Sequence, residues 1–139
     1  MKKNPESARS TSVPRKEDLE AMSNFRHQLR RFLRYSEEIT HAEGVTPLQY
    51  QLLLHVHGFP GRTWATVGEL AERLQAVPNG TAALVSRCEA AGLVLRRPGK
   101  EDRRQVQVHL TARGERCMLK LAALHKPEIE AFGWAFGNR

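Results

Sequence analysis

Apolar residues in the first third of the chain recur with the spacing of a helix. From about residue 17 to residue 43 they fall three or four positions apart, beginning with Leu19, Met22 and Phe25, and the pattern ends at Gly44. Such a period places the apolar side chains on one face of a helix. The stripe is too long for a small core to cover. We therefore predict an N-terminal helix over residues 17–43 that pairs with a further surface.

Two shorter helices are predicted next by their start signals. Residues 46–49 combine a capping threonine, a proline at the first helical position and a glutamine that completes a capping box. The helix that they open stops before Gly58. Residues 66–69 repeat the threonine and acid pattern of a capping box and open a short helix that continues to Leu74.

A further helix follows a tight turn at residues 75–78 and ends before Gly92, which suits a left-handed cap. Its start is ambiguous because Val77 is a poor cap. Either Pro78 takes the first helical position, or Asn79 caps a later start. Two short helices joined by a tight turn predict a helix-turn-helix.

After Gly92 the spacing of apolar residues changes from the helical period of 3.6 residues to the strand period of 2. Residues 93–96 and 105–110 are predicted to form two strands, and the residues between them form a turn-rich, charged tip. The second strand alternates polar residues with apolar residues that we expect to face inward: Val106, Val108 and Leu110. A basic hairpin that follows a helix-turn-helix predicts a winged helix-turn-helix.

The chain ends in another predicted long helix, over residues 112–136, which Thr111 caps and which Pro127 either kinks or restarts. Residues 1–14 are polar and basic, so we predict a disordered tail there. Residues 15–139 are predicted to form one domain whose winged core spans 46–113. The fold class is mainly α with a small β-hairpin wing (α+β), flanked by long N- and C-terminal helices.

The charge of the chain favours a polyanionic partner. It holds 22 Lys and Arg against 15 Asp and Glu, a net charge of +7. A helix can read base edges in the major groove of DNA, and a cationic hairpin can reach the adjacent minor groove. The second helix of the predicted helix-turn-helix is the recognition helix. Its candidate DNA-binding residues are Asn79, Gly80, Thr81, Ala83 and Arg87. Those of the wing are Arg97, Lys100, Arg103 and Arg104.

Several of these residues also have structural interpretations. Arg87 either contacts phosphate or pairs with a carboxylate on its own helix. The wing cations by themselves could simply keep a hairpin solvated, although their place behind a helix-turn-helix favours DNA binding. Cys88 and Cys117 are interpreted as packing residues, with redox sensing as the alternative. The six histidines lack the partners and spacing of a metal site, so none is predicted.

Four segments resemble the MarR family of bacterial transcription regulators. They are LAERL at residues 70–74, LVSRCEAAGLV at 84–94, EDRRQV at 101–106 and LTARG at 110–114, within a match over about residues 19–125. The resemblance implies a dimeric winged-helix protein, usually a repressor, that small phenolic or lipophilic ligands or cysteine oxidation release from DNA. It also implies a dimer interface on the terminal helices, with Leu19, Met22, Phe25, Leu29, Leu124, Ile129 and Phe132.

The chain departs from this family in two places. Members often carry an aspartate where Ser86 stands, and it pairs with the wing arginine that Arg104 matches. The recognition helix also begins with few polar or basic side chains, in residues 77–80. We therefore expect modest base readout, with phosphate contacts and the wing supplying more of the affinity.

The leading hypothesis is a cytoplasmic, dimeric regulator that binds double-stranded DNA in a sequence-specific way and is released by a small organic effector. The alternative is a winged-helix dimerisation or protein-interaction module whose DNA binding is weak or lost. An enzyme is not predicted, because no nucleophile, base and orienting group stand at a recognisable spacing. No cofactor, metal or membrane contact is predicted either.

Overall fold

The computed structural model describes residues 12–135, with side chains as far as Phe132. Along this part of the chain the elements are α1 (Lys16–Ala42), α2 (Pro47–His57), β1 (Trp64–Thr66), α3 (Val67–Leu74), α4 (Pro78–Ala90), β2 (Val94–Pro98), β3 (Val106–Leu110) and α5 (Ala112–Ala135). The predicted class, mainly helical with a small sheet, is confirmed. Most of the predicted tail lies outside the described residues, so the division into tail and domain stays a prediction.

The two predicted capping boxes are both present. At the start of α2 the Thr46 hydroxyl accepts from the amide of Gln49 (3.1 Å), and the Gln49 side chain accepts from the amide of Thr46 (2.9 Å). Thr66 and Glu69 repeat this exchange at the start of α3 (3.2 and 2.9 Å). Each box satisfies two amide donors that a helix start leaves without a partner, so these starts are fixed locally.

The start of α4 settles an alternative that the sequence leaves open. Pro78 takes the first helical position, and Val77 is the N-cap residue, with no hydrogen bond from its side chain. Proline suits this position because its fixed φ is helical and its missing N–H would have had no partner there.

The core lies where α2 meets α3, α4, α5 and the sheet. Its completely buried apolar side chains come from all of these elements: Leu52, Leu53, Val56, Leu70, Val85, Val108 and Leu121. Burial of one such side chain contributes about 1.5–3 kcal/mol. Ala71 is 5% exposed, and a small residue at this place fits the packing of α3 against α4. The winged core therefore has its own packed interior.

The sheet has one strand more than the predicted hairpin. Its antiparallel order is β1-β3-β2, and Thr66 pairs with Gln107 where β1 ends. The expectation that Val106 faces inward is wrong, because β1 stops short of it and leaves it 41% exposed. Gln107 is only 9% exposed, since it lies in the central strand between Thr66 and Arg97.

Helices α1 and α5 pack together beside this core, and His125 lies at the point where they join it. The His125 side chain is 2% exposed, its Nδ1 donates to the carbonyl of Leu121 (2.8 Å), and its Nε2 is hydrogen-bonded to Ser36 Oγ (2.9 Å). Its ring stacks on Tyr50 of α2 with centroids 4.6 Å apart. Helix α5 does not restart at Pro127, which lies inside it.

Candidate nucleic-acid interface

Helix α4 turns one face to the solvent and the other to the core. Asn79, Ala83 and Arg87 are four residues apart and exposed, and Gly80 is exposed beside them. The buried face consists of Leu84, Val85 and Cys88 together with one polar residue, Thr81. Four of the five candidate residues of this helix thus lie on an accessible surface. Whether they contact DNA stays a prediction.

Thr81 was expected on the exposed face, and that expectation is wrong. Its side chain is 1% exposed, and its hydroxyl donates to the carbonyl of Val77 (3.0 Å). The reason is helical periodicity, since Thr81 precedes Leu84, Val85 and Cys88 by three, four and seven positions. Spacing alone could have excluded it from the binding face.

Arg87 is exposed in the last turn of α4. None of the salt bridges found among residues 12–135 involves it. The alternative that Arg87 pairs with a carboxylate on its own helix therefore has no support in the structure. Its guanidinium is left available for a phosphate oxygen, which it can bind through two parallel hydrogen bonds.

The tip of the wing is held by contacts within itself. Gly99 donates its amide to the carbonyl of Gln105 (2.7 Å), and Gln105 donates to the carbonyl of Asp102 (3.0 Å). A Cβ added to Gly99 would lie 2.5 Å from that Asp102 oxygen, so this tight turn requires glycine. The fold of the tip leaves its four candidate cations exposed: Arg97, Lys100, Arg103 and Arg104.

The wing is attached to α4 by Arg96, not by the arginine that the family resemblance indicates. Arg104 has a side chain that is 93% exposed and pairs with Asp102 in its own turn (3.3 Å). Arg96 instead reaches α4, where it donates to Glu89 Oε1 (2.5 Å) and Ser86 Oγ (3.2 Å). The sequence suggested no role for Arg96, because the two elements it connects are separate in the chain.

The far end of α4 is joined to the start of α5. The Thr111 hydroxyl donates to the carbonyl of Gly92 (2.6 Å) and accepts from the amide of Gly114 (3.0 Å). The amide of Thr111 also donates to the carbonyl of Leu93 (3.0 Å). Thr111 therefore caps α5, as predicted, and ties that helix to the turn that follows α4.

The two cysteines lie away from this surface. Cys88 is completely buried in the core, and burial raises the pKa of its thiol to about 11. Burial also raises the pKa of Cys117, with a further contribution from Glu43. Thiols of this kind are protonated at neutral pH and react slowly. Among residues 12–135 no three histidine, cysteine or acidic side chains cluster as metal ligands, and no helix there has the length and apolar character of a membrane span.

The apolar stripe of α1 is open to solvent in the single chain. Leu19 is 52% exposed and Met22 is 58% exposed, and on α5 Ile129 is 50% exposed. Phe25, Leu29, Leu124 and Phe132 are exposed or half-buried beside them. Contiguous exposed apolar side chains of this kind mark interaction surfaces.

Comparison with known proteins connects this geometry with a family. The sequence model of the MarR family matches residues 43–105, which hold the helix-turn-helix and most of the wing. The winged-helix segment of this chain is therefore similar in sequence to MarR transcription regulators, and it has their fold. A search of curated proteins gives no match.

Solved structures of MarR proteins share this fold over most of the chain. A MarR family protein from Bacillus stearothermophilus superposes with a TM-score of 0.75 at 22% identity. The match covers 88% of this chain and 83% of the Bacillus protein. AbsC, a MarR family transcriptional regulator from Streptomyces coelicolor, superposes with a TM-score of 0.71 at 22% identity. The match covers 88% of this chain and 82% of AbsC. A further MarR family transcription regulator superposes with a TM-score of 0.69 at 29% identity. The match covers 83% of this chain and 74% of that protein.

Proposed function

We propose that this MarR-type chain acts in the cytoplasm as a homodimeric repressor that binds a pseudo-palindromic site in double-stranded DNA. The exposed face of α4 enters the major groove in each half-site, with centres about 10 bp apart. The wing tip reaches the neighbouring minor groove. One observation supports this most strongly. Arg96 of the hairpin that carries the four exposed cations hydrogen-bonds to Ser86 and Glu89 of α4, the helix that carries the exposed candidate face.

The distribution of charge indicates how affinity and specificity are divided. The exposed face of α4 carries a single cation, Arg87, beside Asn79 and Ala83. Asparagine can bind adenine with two hydrogen bonds, and a methyl group can contact thymine. The wing carries four exposed cations, which attract phosphate in any sequence. Specificity therefore comes from a few contacts of α4, and most of the affinity comes from the wing.

The seam between α1 and α5 is the proposed place for an effector. An open cavity of about 460 Å³ there is lined by Phe32, Tyr35 and Phe132, by the polar side chains of His27 and Arg31, and by the acidic side chain of Glu128. Aromatic walls beside a few polar groups suit a phenolic ligand. A coupling of about 1–3 kcal/mol between effector and DNA is enough for regulation. Titration of the DNA complex with salicylate should weaken it, and unchanged affinity at millimolar salicylate contradicts this part of the proposal.

The DNA-binding proposal is tested by gel retardation of promoter DNA over a series of salt concentrations. Lys100→Ala should weaken binding to every duplex and lower the slope of log affinity against log salt by about 1, because one phosphate contact is lost. Lys126→Ala, which removes an exposed cation of α5 far along the chain from the wing, is the matched control and should leave the slope unchanged. Absence of retardation by the wild-type protein at low salt would support the interaction-module alternative and overturn the proposal.

A further inference from the structure

We propose that Arg96 is a positioning residue that holds the wing and the recognition helix in one fixed arrangement, so that they bind DNA as a unit. This inference rests on the proposed function, because it concerns how the same surface is aligned with the duplex. Arg96 and its three partners on α4 (Ala82, Ser86 and Glu89) are called the Arg96 clamp below.

The clamp spans two turns of α4. Arg96 pairs with Val108 in the sheet, and its guanidinium donates to Glu89 Oε1 (2.5 Å), Ser86 Oγ (3.2 Å) and the carbonyl of Ala82 (3.3 Å). These partners are four and three positions apart, so they form one row along the helix. One planar group that contacts three points on a row fixes both the distance and the rotation between the wing and α4.

The remaining polar contacts of the hairpin tip do not reach α4. The amide of Gly99 bonds to Gln105, and Arg104 bonds to Asp102, both within the tip. Within the described part of the chain, Arg96 is the hairpin side chain that hydrogen-bonds to the recognition helix. Loss of the clamp would therefore free the wing to tilt about its base without unfolding the core.

The chemistry of the clamp requires arginine in particular. Three contacts in different directions need the fixed fork of a guanidinium, which the ammonium group of lysine cannot reproduce. The Arg96 side chain is 31% exposed and that of Glu89 is 43% exposed. Solvent screening makes such a partly exposed ion pair worth little in stability by itself. The value of the clamp therefore lies in alignment, and DNA affinity should respond to it more than the melting temperature does.

A second interpretation is that Arg96 contacts phosphate directly. A substitution at Glu89 distinguishes this interpretation from the clamp. If Arg96 serves as a phosphate ligand, Glu89→Gln removes a repulsive charge near the DNA and should tighten binding. If Arg96 is a clamp, the same change frees the wing and should weaken binding, against the general electrostatic trend. Glu130→Gln, an exposed acid of α5, is the matched control for the change in net charge.

The experiment measures the affinity of the full-length variants for a duplex that the wild-type protein retards, together with their melting temperatures. We expect Glu89→Gln and Arg96→Lys each to bind about three- to tenfold more weakly, a range typical of coupled neighbouring residues. Glu130→Gln should bind as tightly as wild type or slightly more tightly. The double variant Ser86→Asp, Glu89→Gln restores the carboxylate one turn earlier at unchanged net charge and should recover binding to within about twofold.

The outcomes separate this inference from the proposed function. Retardation by the wild-type protein with equal or tighter binding by Glu89→Gln overturns the clamp and leaves the regulator proposal standing. Weaker binding that the double variant does not restore also overturns it, because the carboxylate then acts by some route other than Arg96. Absence of binding by the wild-type protein overturns the proposed function itself.

Discussion

Cys88 is completely buried among the side chains that hold α4 to the core, and its pKa is raised to about 11. Alkylating reagents attack the thiolate, so burial and a raised pKa both protect this thiol. We expect iodoacetamide to modify native Cys88 at least about 100-fold more slowly than Cys88 in the unfolded chain. Mass spectrometry of a Cys117→Ser variant measures this site alone. Rapid labelling of the native protein would instead indicate an exposed, redox-responsive thiol.

Individual residues also show how far sequence patterns reach. The buried place of Cys88 follows from its helical spacing with Leu84, and the same reasoning applied to Thr81 would have excluded it from the DNA-facing surface. Gln107 and Arg96 were not predictable in this way. The first is covered by a strand far away in the sequence, and the second finds its partners on a separate helix.

At the scale of elements, the start of α5 depends on a close approach between two backbones. A Cβ added to Gly114 would overlap the carbonyl oxygen of Leu93, which is main chain and cannot move aside cheaply. We expect Gly114→Ala to lower the free energy of unfolding by about 1–3 kcal/mol. Chemical denaturation measures the change.

The control for this prediction is a second glycine in a helix. A Cβ at Gly68 of α3 meets nothing within 4 Å. Gly68→Ala should be neutral or stabilise the protein by up to about 1 kcal/mol, since alanine is the better helix former. If both variants had the same stability, the close approach at Gly114 would not be a real constraint.

The elements that the sequence predicted best are those with local signals. Each capping box is complete within four residues, so Thr46 and Thr66 mark their helices without knowledge of the fold. Strand β1 was missed for the opposite reason. It has three residues, too few to show a period, and it exists because His109, Val108 and Gln107 of β3 pair with it.

At the scale of the whole molecule, the proposed dimer would cover the exposed apolar stripe on α1. Met22 is 58% exposed, so a charge there costs the single chain little, but it would disrupt an apolar interface between two copies. We expect Met22→Glu to shift the protein from dimer to monomer in sedimentation experiments and to weaken DNA binding strongly. Leu48→Glu, at a comparable exposure of 52% on α2, is the matched control and should stay dimeric. A wild-type protein that is monomeric at micromolar concentration contradicts the proposal.

Selection of bound DNA from a random library tests whether two copies of α4 and of the wing read one duplex together. Purified protein is mixed with a random duplex library, and the retained fragments are sequenced for the wild type and for Asn79→Ala. We expect a two-fold symmetric motif with half-sites about 10 bp apart, and the variant should lose the preference at one position in each half-site. Retained fragments without any shared motif, or with a single unpaired half-site, would contradict it.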